Sequence, residues 1–140
     1  MNPDPDSTLS AGDRHALLRA AREASAHAYA PYSRYAVGAA LLAEDGTLVR
    51  GCNVENASYG LSLCAERAAF STAVAAGHTR FRALAVVARG SAPPHPCGAC
   101  RQVMAEFCDP DFVVFSASSD PLENVTTSTL GTLLPNRFKL

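Results

Sequence analysis

The amino-acid sequence predicts an α/β fold, a mixed sheet with helices packed on its faces. Segments of helical and strand character follow one another in the order α-β-β-α-β-α-β-(β)-α. Asp45-Gly46 sits between two β-rich stretches as a hairpin turn, and residues 82–88 form a nearly unbroken apolar run, as expected of a strand covered on both faces.

The elements can be justified in order. Residues 1–8 are polar and acidic and read as a frayed tail. Ser10 followed by Asp13 is an N-cap signal, and the helix it opens is predicted to run to about Tyr29, just ahead of Pro31. Strands are expected near 36–43 and 47–54, and 56–60 reads as loop. From about Cys64 to Ala76 the chain is rich in Ala with Glu, Arg and Phe, and Gly77 stands where a helix-ending glycine belongs, so this is the second helix. After the 82–88 strand come a proline-rich turn at 92–96, a helix over about 98–107, a strand at 112–116, an edge strand at 122–125 and a short helix at 129–134. No repeat or linker interrupts this pattern, and 140 residues fit one domain.

Composition narrows the function. With 48% hydrophobic and 18% charged residues, the chain lacks the signature of a disordered protein. A formal net charge of -1 without a dense basic run is not the footprint of a nucleic-acid or anionic-membrane binder, so a small neutral partner is expected. The start carries no apolar leader core, and the longest apolar stretch, 35–43, falls far short of the roughly 20 residues that span a bilayer. A soluble, cytoplasmic protein is the expectation. Five cysteines, an odd number in a chain long enough to need no staples, point to metal or redox chemistry in preference to disulfides.

Cys97 and Cys100 have C-x2-C spacing behind Pro96 at a predicted helix start, and on a helix i and i+3 lie about 60° apart, so both sulfurs can face one atom. A redox dithiol has the same spacing. Cys64, 33 residues upstream, also stands at a predicted helix start, and two positive helix ends favour thiolates and metal binding. Three sulfurs with an open fourth position make a catalytic Zn²⁺ site, whereas a fourth ligand from Cys52 or Cys108 would make a closed structural one. An open site needs a proton acceptor, and Glu66 is two residues from Cys64. That spacing works only if Cys64 lies at the very start of its helix. Arg67, at i+3 from Cys64, can donate to the thiolates and offset the excess charge of three thiolates on one Zn²⁺.

Cys64-Ala65-Glu66-Arg67 and Pro96-Cys97-Gly98-Ala99-Cys100-Arg101-Gln102 closely resemble the motifs of the small, homotetrameric, all-cysteine cytidine deaminases. They follow the signature that zinc deaminases share, a His or Cys followed by x-E and then P-C-x-x-C. The likeness continues through Pro31-Tyr32-Ser33, Val37-Gly38-Ala39-Ala40, the 51–57 segment and Leu133-Leu134-Pro135, and spans about residues 14–138. The resemblance implies a three-layer fold with a mixed five-stranded sheet and helices on both faces. It further implies one Zn²⁺ per subunit on Cys64, Cys97 and Cys100, and Glu66 as the group that moves protons between water and the pyrimidine. The products so implied are uridine or deoxyuridine and ammonia, and the role so implied is pyrimidine nucleoside salvage.

Asn53 and Glu55, two apart at a predicted strand end, project from one face and suit a sugar hydroxyl. In similar enzymes such a pair holds the ribose 3′-hydroxyl, and a carboxylate there favours nucleosides over phosphorylated substrates or nucleic acid. The likeness also implies that Tyr35, where the family usually carries Phe, and Phe138 set aromatic rings against the base, and that Ala57, Tyr59 and Ala65 touch substrate. Because the family's loop Tyr and C-terminal Phe reach a neighbouring subunit's pocket, a homotetramer with shared active sites is expected. The chain departs from the family mainly at 118–128.

Overall fold

The computed structural model describes residues 9–122 and 124–140, so the 1–8 tail expected from the sequence lies outside the described residues. Ser10 opens α1 (Ala11–Ser25) with a reciprocal cap: its hydroxyl accepts from the Asp13 N–H at 2.9 Å, and the Asp13 carboxylate accepts from the Ser10 N–H at 3.3 Å. The hairpin β1 (Val37–Ala43) and β2 (Leu48–Cys52) follows, and its turn holds Gly46 at a φ of 92°. A 3₁₀ turn (Tyr59–Leu61) precedes α2 (Ala65–Ala75), then β3 (Phe81–Ala88), α3 (Gly98–Phe107), β4 (Val113–Ser118), β5 (Thr126–Thr129) and α4 (Leu130–Leu133). The strands form one mixed sheet in the order β2-β1-β3-β4-β5, with β3 and β4 parallel and the other neighbours antiparallel.

Period-two alternation assigns each strand's side chains to two cores. Ala39, Leu41, Leu84, Val86 and Val114 pack under α2, α3 and α4, whereas Ala40, Leu42, Ala83, Ala85, Val87, Phe115 and Ala117 pack under α1. This is the three-layer arrangement expected. Between α2 and α3 the rings of Phe70, Phe81 and Phe107 lock together with centroids 5.2–6.2 Å apart. Two glycines let helices approach the sheet: a Cβ on Gly38 would fall 1.8 Å from the Ala21 carbonyl oxygen in α1, and one on Gly51 would fall 2.4 Å from the Ala69 nitrogen in α2.

Two elements differ from expectation. The first helix stops at Ser25 instead of Tyr29, because the Tyr29 N–H donates to the Asn53 carbonyl at 3.0 Å and the Tyr29 carbonyl accepts from the Glu55 N–H at 2.8 Å. That bridge to the end of β2 draws the chain out of the helix before Pro31 can act. The edge strand is 126–129, not 122–125. Leu122 and Val125 pack against the core beneath α1, and the β-branched Thr126, Thr127 and Thr129 pair with β4 instead.

Candidate active site

The topology brings two helix starts to one end of the sheet. β2 and β3 each run antiparallel to β1 and therefore point the same way, and Cys52 and Val87 both register on Gly38. The loops leaving β2 and β3 emerge side by side and lead into α2 and α3. Cys64 is the N-cap of α2 and Cys97 the N-cap of α3, both in extended conformation, and Cys100 lies one turn into α3.

The sulfurs of Cys64, Cys97 and Cys100 all lie within 4.8 Å of one another, with Cys64 to Cys97 at 3.9 Å and Cys97 to Cys100 at 3.5 Å. Zn–S bonds of about 2.3 Å in a tetrahedron place sulfurs roughly 3.8 Å apart, so the cluster fits one Zn²⁺. The donor chemistry agrees. Burial pushes the Cys100 thiol far above its usual range, with the Glu66 carboxylate adding to the effect, a cost that a bound cation reverses. Burial also acts against the Cys97 thiolate, but the backbone N–H groups of Cys100 and Ala99 and the two neighbouring sulfurs outweigh it and bring that thiol below its usual range.

All five cysteines are free, and Cys52 and Cys108 stand outside the cluster. Neither supplies a fourth sulfur, so the set is the three-ligand kind. Burial pushes the Cys108 thiol up to about 12, and Asp109 adds to that, which leaves it an inert core group.

Glu66 follows the N-cap by two residues, at the second position of α2, and is 5% exposed. Its carboxyl is raised above the ordinary value by burial, against its own backbone N–H, Cys100 and the charge of Arg67. Arg67 donates from Nη2 to the Cys64 sulfur at 3.3 Å, and the hydrogen bond to Cys64 raises the guanidinium's pKa further. Its Nε is buried without an acceptor among the described residues, so its hold on the site runs through sulfur.

A cleft of about 300 Å³ opens here, lined by Tyr35, Asn53, Glu55, Cys64, Ala65, Glu66 and Cys97 among others. Asn53 spans the cleft wall: its Oδ1 accepts from the Val37 N–H at 2.9 Å and its Nδ2 donates to the Tyr35 carbonyl at 2.8 Å. Glu55 accepts from the Tyr32 N–H at 2.9 Å, the Ser33 N–H at 3.1 Å and the Ser33 hydroxyl at 2.5 Å. The Ser33 bonds, side chain first, and that from Tyr32 hold the Glu55 carboxyl below its usual range. Tyr35 also lines the cleft, where burial and the nearby Glu66 charge raise its phenol.

Three expected contacts are not gathered here. Tyr59 is 76% exposed, Phe138 is 68% exposed and Ala57 is exposed, and none of them lines the cleft of its own chain. Ser33, Val86 and His95 do line it, without a role having been read from the sequence. Ser33 had a signal, since it closes the Pro31-Tyr32-Ser33 motif. Val86 had none, because it reads only as a core position of β3.

A buried carboxylate beside three convergent sulfurs on an α/β/α frame is the equipment of a metal-dependent hydrolytic enzyme. The family model for the cytidine and deoxycytidylate deaminase zinc-binding region matches residues 12–116, and the chain belongs to this family. It is 48% identical over 126 residues to the cytidine deaminase of Sporosarcina psychrophila, covering 90% of this chain and 91% of that one. To the cytidine deaminase of Halalkalibacterium halodurans it is 49% identical over 127 residues, covering 90% and 94%. The crystal structure of cytidine deaminase from Burkholderia pseudomallei superposes with a TM-score of 0.85 at 48% identity, over 93% of this chain and all of that one.

Proposed function

We propose that this chain hydrolyses cytidine and deoxycytidine to uridine and deoxyuridine with release of ammonia, using one Zn²⁺ held by Cys64, Cys97 and Cys100. The observation that carries the reading is Glu66, a buried carboxylate in the same cleft as two of the three clustered sulfurs. When bound, the metal supplies Lewis-acid activation of water at neutral pH. Glu66 accepts the proton that water gives up and passes it to N3 as C4–O forms; it then takes the second proton from the oxygen now on C4 and delivers it to the amine, so that C4–N breaks and ammonia leaves a C4 carbonyl. Its burial keeps competing solvent from the carboxylate, and Arg67 offsets the charge of the thiolates.

Asn53 and Glu55 take the sugar. Their bonds to the 32–37 backbone hold both side chains rigidly at the cleft wall, and a fixed carboxylate favours a neutral nucleoside over a phosphorylated one. Tyr35 and Ala65 flank the base. Ala57, Tyr59 and Phe138 complete a neighbouring subunit's site in a homotetramer, a reading supported by their exposure, by the exposed Val54 and Leu61 in the same stretch as Ala57 and Tyr59, and by the exposed Tyr32, whose ring lies edge-on to that of Tyr59. No helix among the described residues is long and apolar enough to cross a membrane, and a cytoplasmic role in nucleoside salvage fits this chemistry.

The test is a direct assay. Zinc-analysed protein should consume cytidine and release ammonia, and Glu66→Gln should not. Zinc-loaded protein that leaves both cytidine and deoxycytidine intact would overturn the reading.

A further inference from the structure

Arg101 directly follows Cys100, the third cysteine of the cluster, and its side chain bridges two backbone carbonyls. Its Nε donates to the Pro96 carbonyl at 2.7 Å, and its Nη1 donates to the Leu133 carbonyl at 2.7 Å. Pro96 is fully buried and has no N–H, so its carbonyl is its one backbone handle, and it is joined directly to Cys97. Leu133 ends α4, which leads into the tail that carries Phe138. The Cys97 carbonyl accepts from the Arg101 N–H at 3.0 Å, so residue 101 grips the turn that presents the first sulfur of α3 through both main chain and side chain.

We infer that Arg101 is a positioning residue that holds the Pro96–Cys97 turn in place for the metal and ties the C-terminal segment to the same turn. A planar guanidinium donates to the two carbonyls from two separate nitrogens, Nε and Nη1, in fixed directions, a span that the single nitrogen of an ammonium or an amide does not offer. The other clamps on the tail do not reach the metal loop. Gln102 donates to the Phe138 carbonyl at 3.4 Å, and Arg137 donates to the Cys108 carbonyl at the far end of α3. Arg101 alone, among the described residues, joins the two regions through one side chain.

The inference rests on Cys97 as a zinc ligand, so the test separates the two. Zinc-loaded full-length protein is mixed with a chromogenic chelator and metal transfer is timed for wild type, Arg101→Ala, Arg101→Lys and Arg137→Ala, with hydrogen exchange of residues 130–138 measured in parallel. Arg101→Ala should release zinc about 10- to 100-fold faster, with faster exchange in the tail. Its kcat should return towards wild type in excess zinc, which a generally disordered site would not give. Arg137→Ala should loosen the tail and leave zinc release within about twofold of wild type. If Arg101→Ala does not fold, Arg101→Lys decides, since it keeps the charge and loses the fork and should still release zinc faster than wild type. Release at the wild-type rate in the Arg101 variants, or equal acceleration by Arg137→Ala, would overturn the inference alone. Wild-type protein that holds no zinc would overturn it together with the ligand reading.

Discussion

Glu66 is the one charged side chain among the described residues that the fold buries, and burial opposes its ionised form. Neutral Gln has nearly the same shape without that cost. Glu66→Gln is therefore expected to lower kcat by at least about 10²–10⁴-fold, while thermal melting shows a gain of about 0.5–2 kcal/mol. A variant that loses activity and melts earlier would instead make Glu66 a structural group. Glu55 carries the opposite sign. Its carboxyl is held below the usual range by Ser33 and Tyr32, so the unfolded chain binds the proton more tightly than the folded one. The stabilisation is complete above about pH 4.3 and is lost as pH falls through the lower folded value. Acid unfolding followed by circular dichroism should show a shallower decline for Glu55→Gln than for wild type, from a lower starting stability at pH 7. Arg67→Gln should keep its zinc and lose about 10- to 100-fold in kcat, as metal analysis and kinetics on one preparation would report.

Gly51 and Gly38 set the distance of α2 and α1 from the sheet, and the two contacts have different consequences. A methyl on Gly51 meets the α2 backbone at Ala65 and Ala69, so it pushes the helix whose first turn carries Cys64 and Glu66. A methyl on Gly38 meets the backbone of α1, which bears no site residue. Neither backbone can yield as a flexible side chain would. Both Gly51→Ala and Gly38→Ala should lower stability by about 1–3 kcal/mol or more. Only Gly51→Ala should also weaken zinc retention in the folded fraction, measured by chelator competition well below the melting temperature. Equal effects of both variants on zinc would show that the metal site senses overall stability and not the seat of α2.

The described chain exposes aromatic and apolar side chains at 54–61 and at its C-terminus, and Ala57, Tyr59 and Phe138 do not line its own cleft. The homotetramer proposed above would bury the exposed rings in a neighbour's cleft. Sedimentation at assay concentration should therefore give a tetramer. Mixing inactive Glu66→Gln with Phe138→Ala should restore part of the lost activity through mixed assemblies that hold one intact composite site. An active monomer, or no complementation in proven mixed tetramers, would remove shared sites from the account. Stripping zinc should abolish activity and lower the melting temperature, and both should return on adding Zn²⁺, because binding to the folded state alone shifts the folding equilibrium.

What the sequence determined by itself was local or carried by spacing. Ser10 and Asp13 announced a capped helix, Asp45-Gly46 a hairpin, and residues 98–107 a helix that the structure reproduces residue for residue. Cys64, Cys97 and Cys100 could be grouped because sulfurs at two helix starts have few uses. The tertiary structure decided what depends on partners distant in the chain. It ended α1 at Ser25 by pairing Tyr29 with the 53–55 segment, and it moved the edge strand to the threonines that β4 could pair. It gave Asn53 and Glu55 their rigidity through bonds to residues some twenty positions away, and it made Arg101 a bridge between Pro96 and Leu133. A periodic pattern reports which face of an element seeks burial, but the partner that satisfies a given carbonyl or N–H is chosen only when the sheet brings distant segments together.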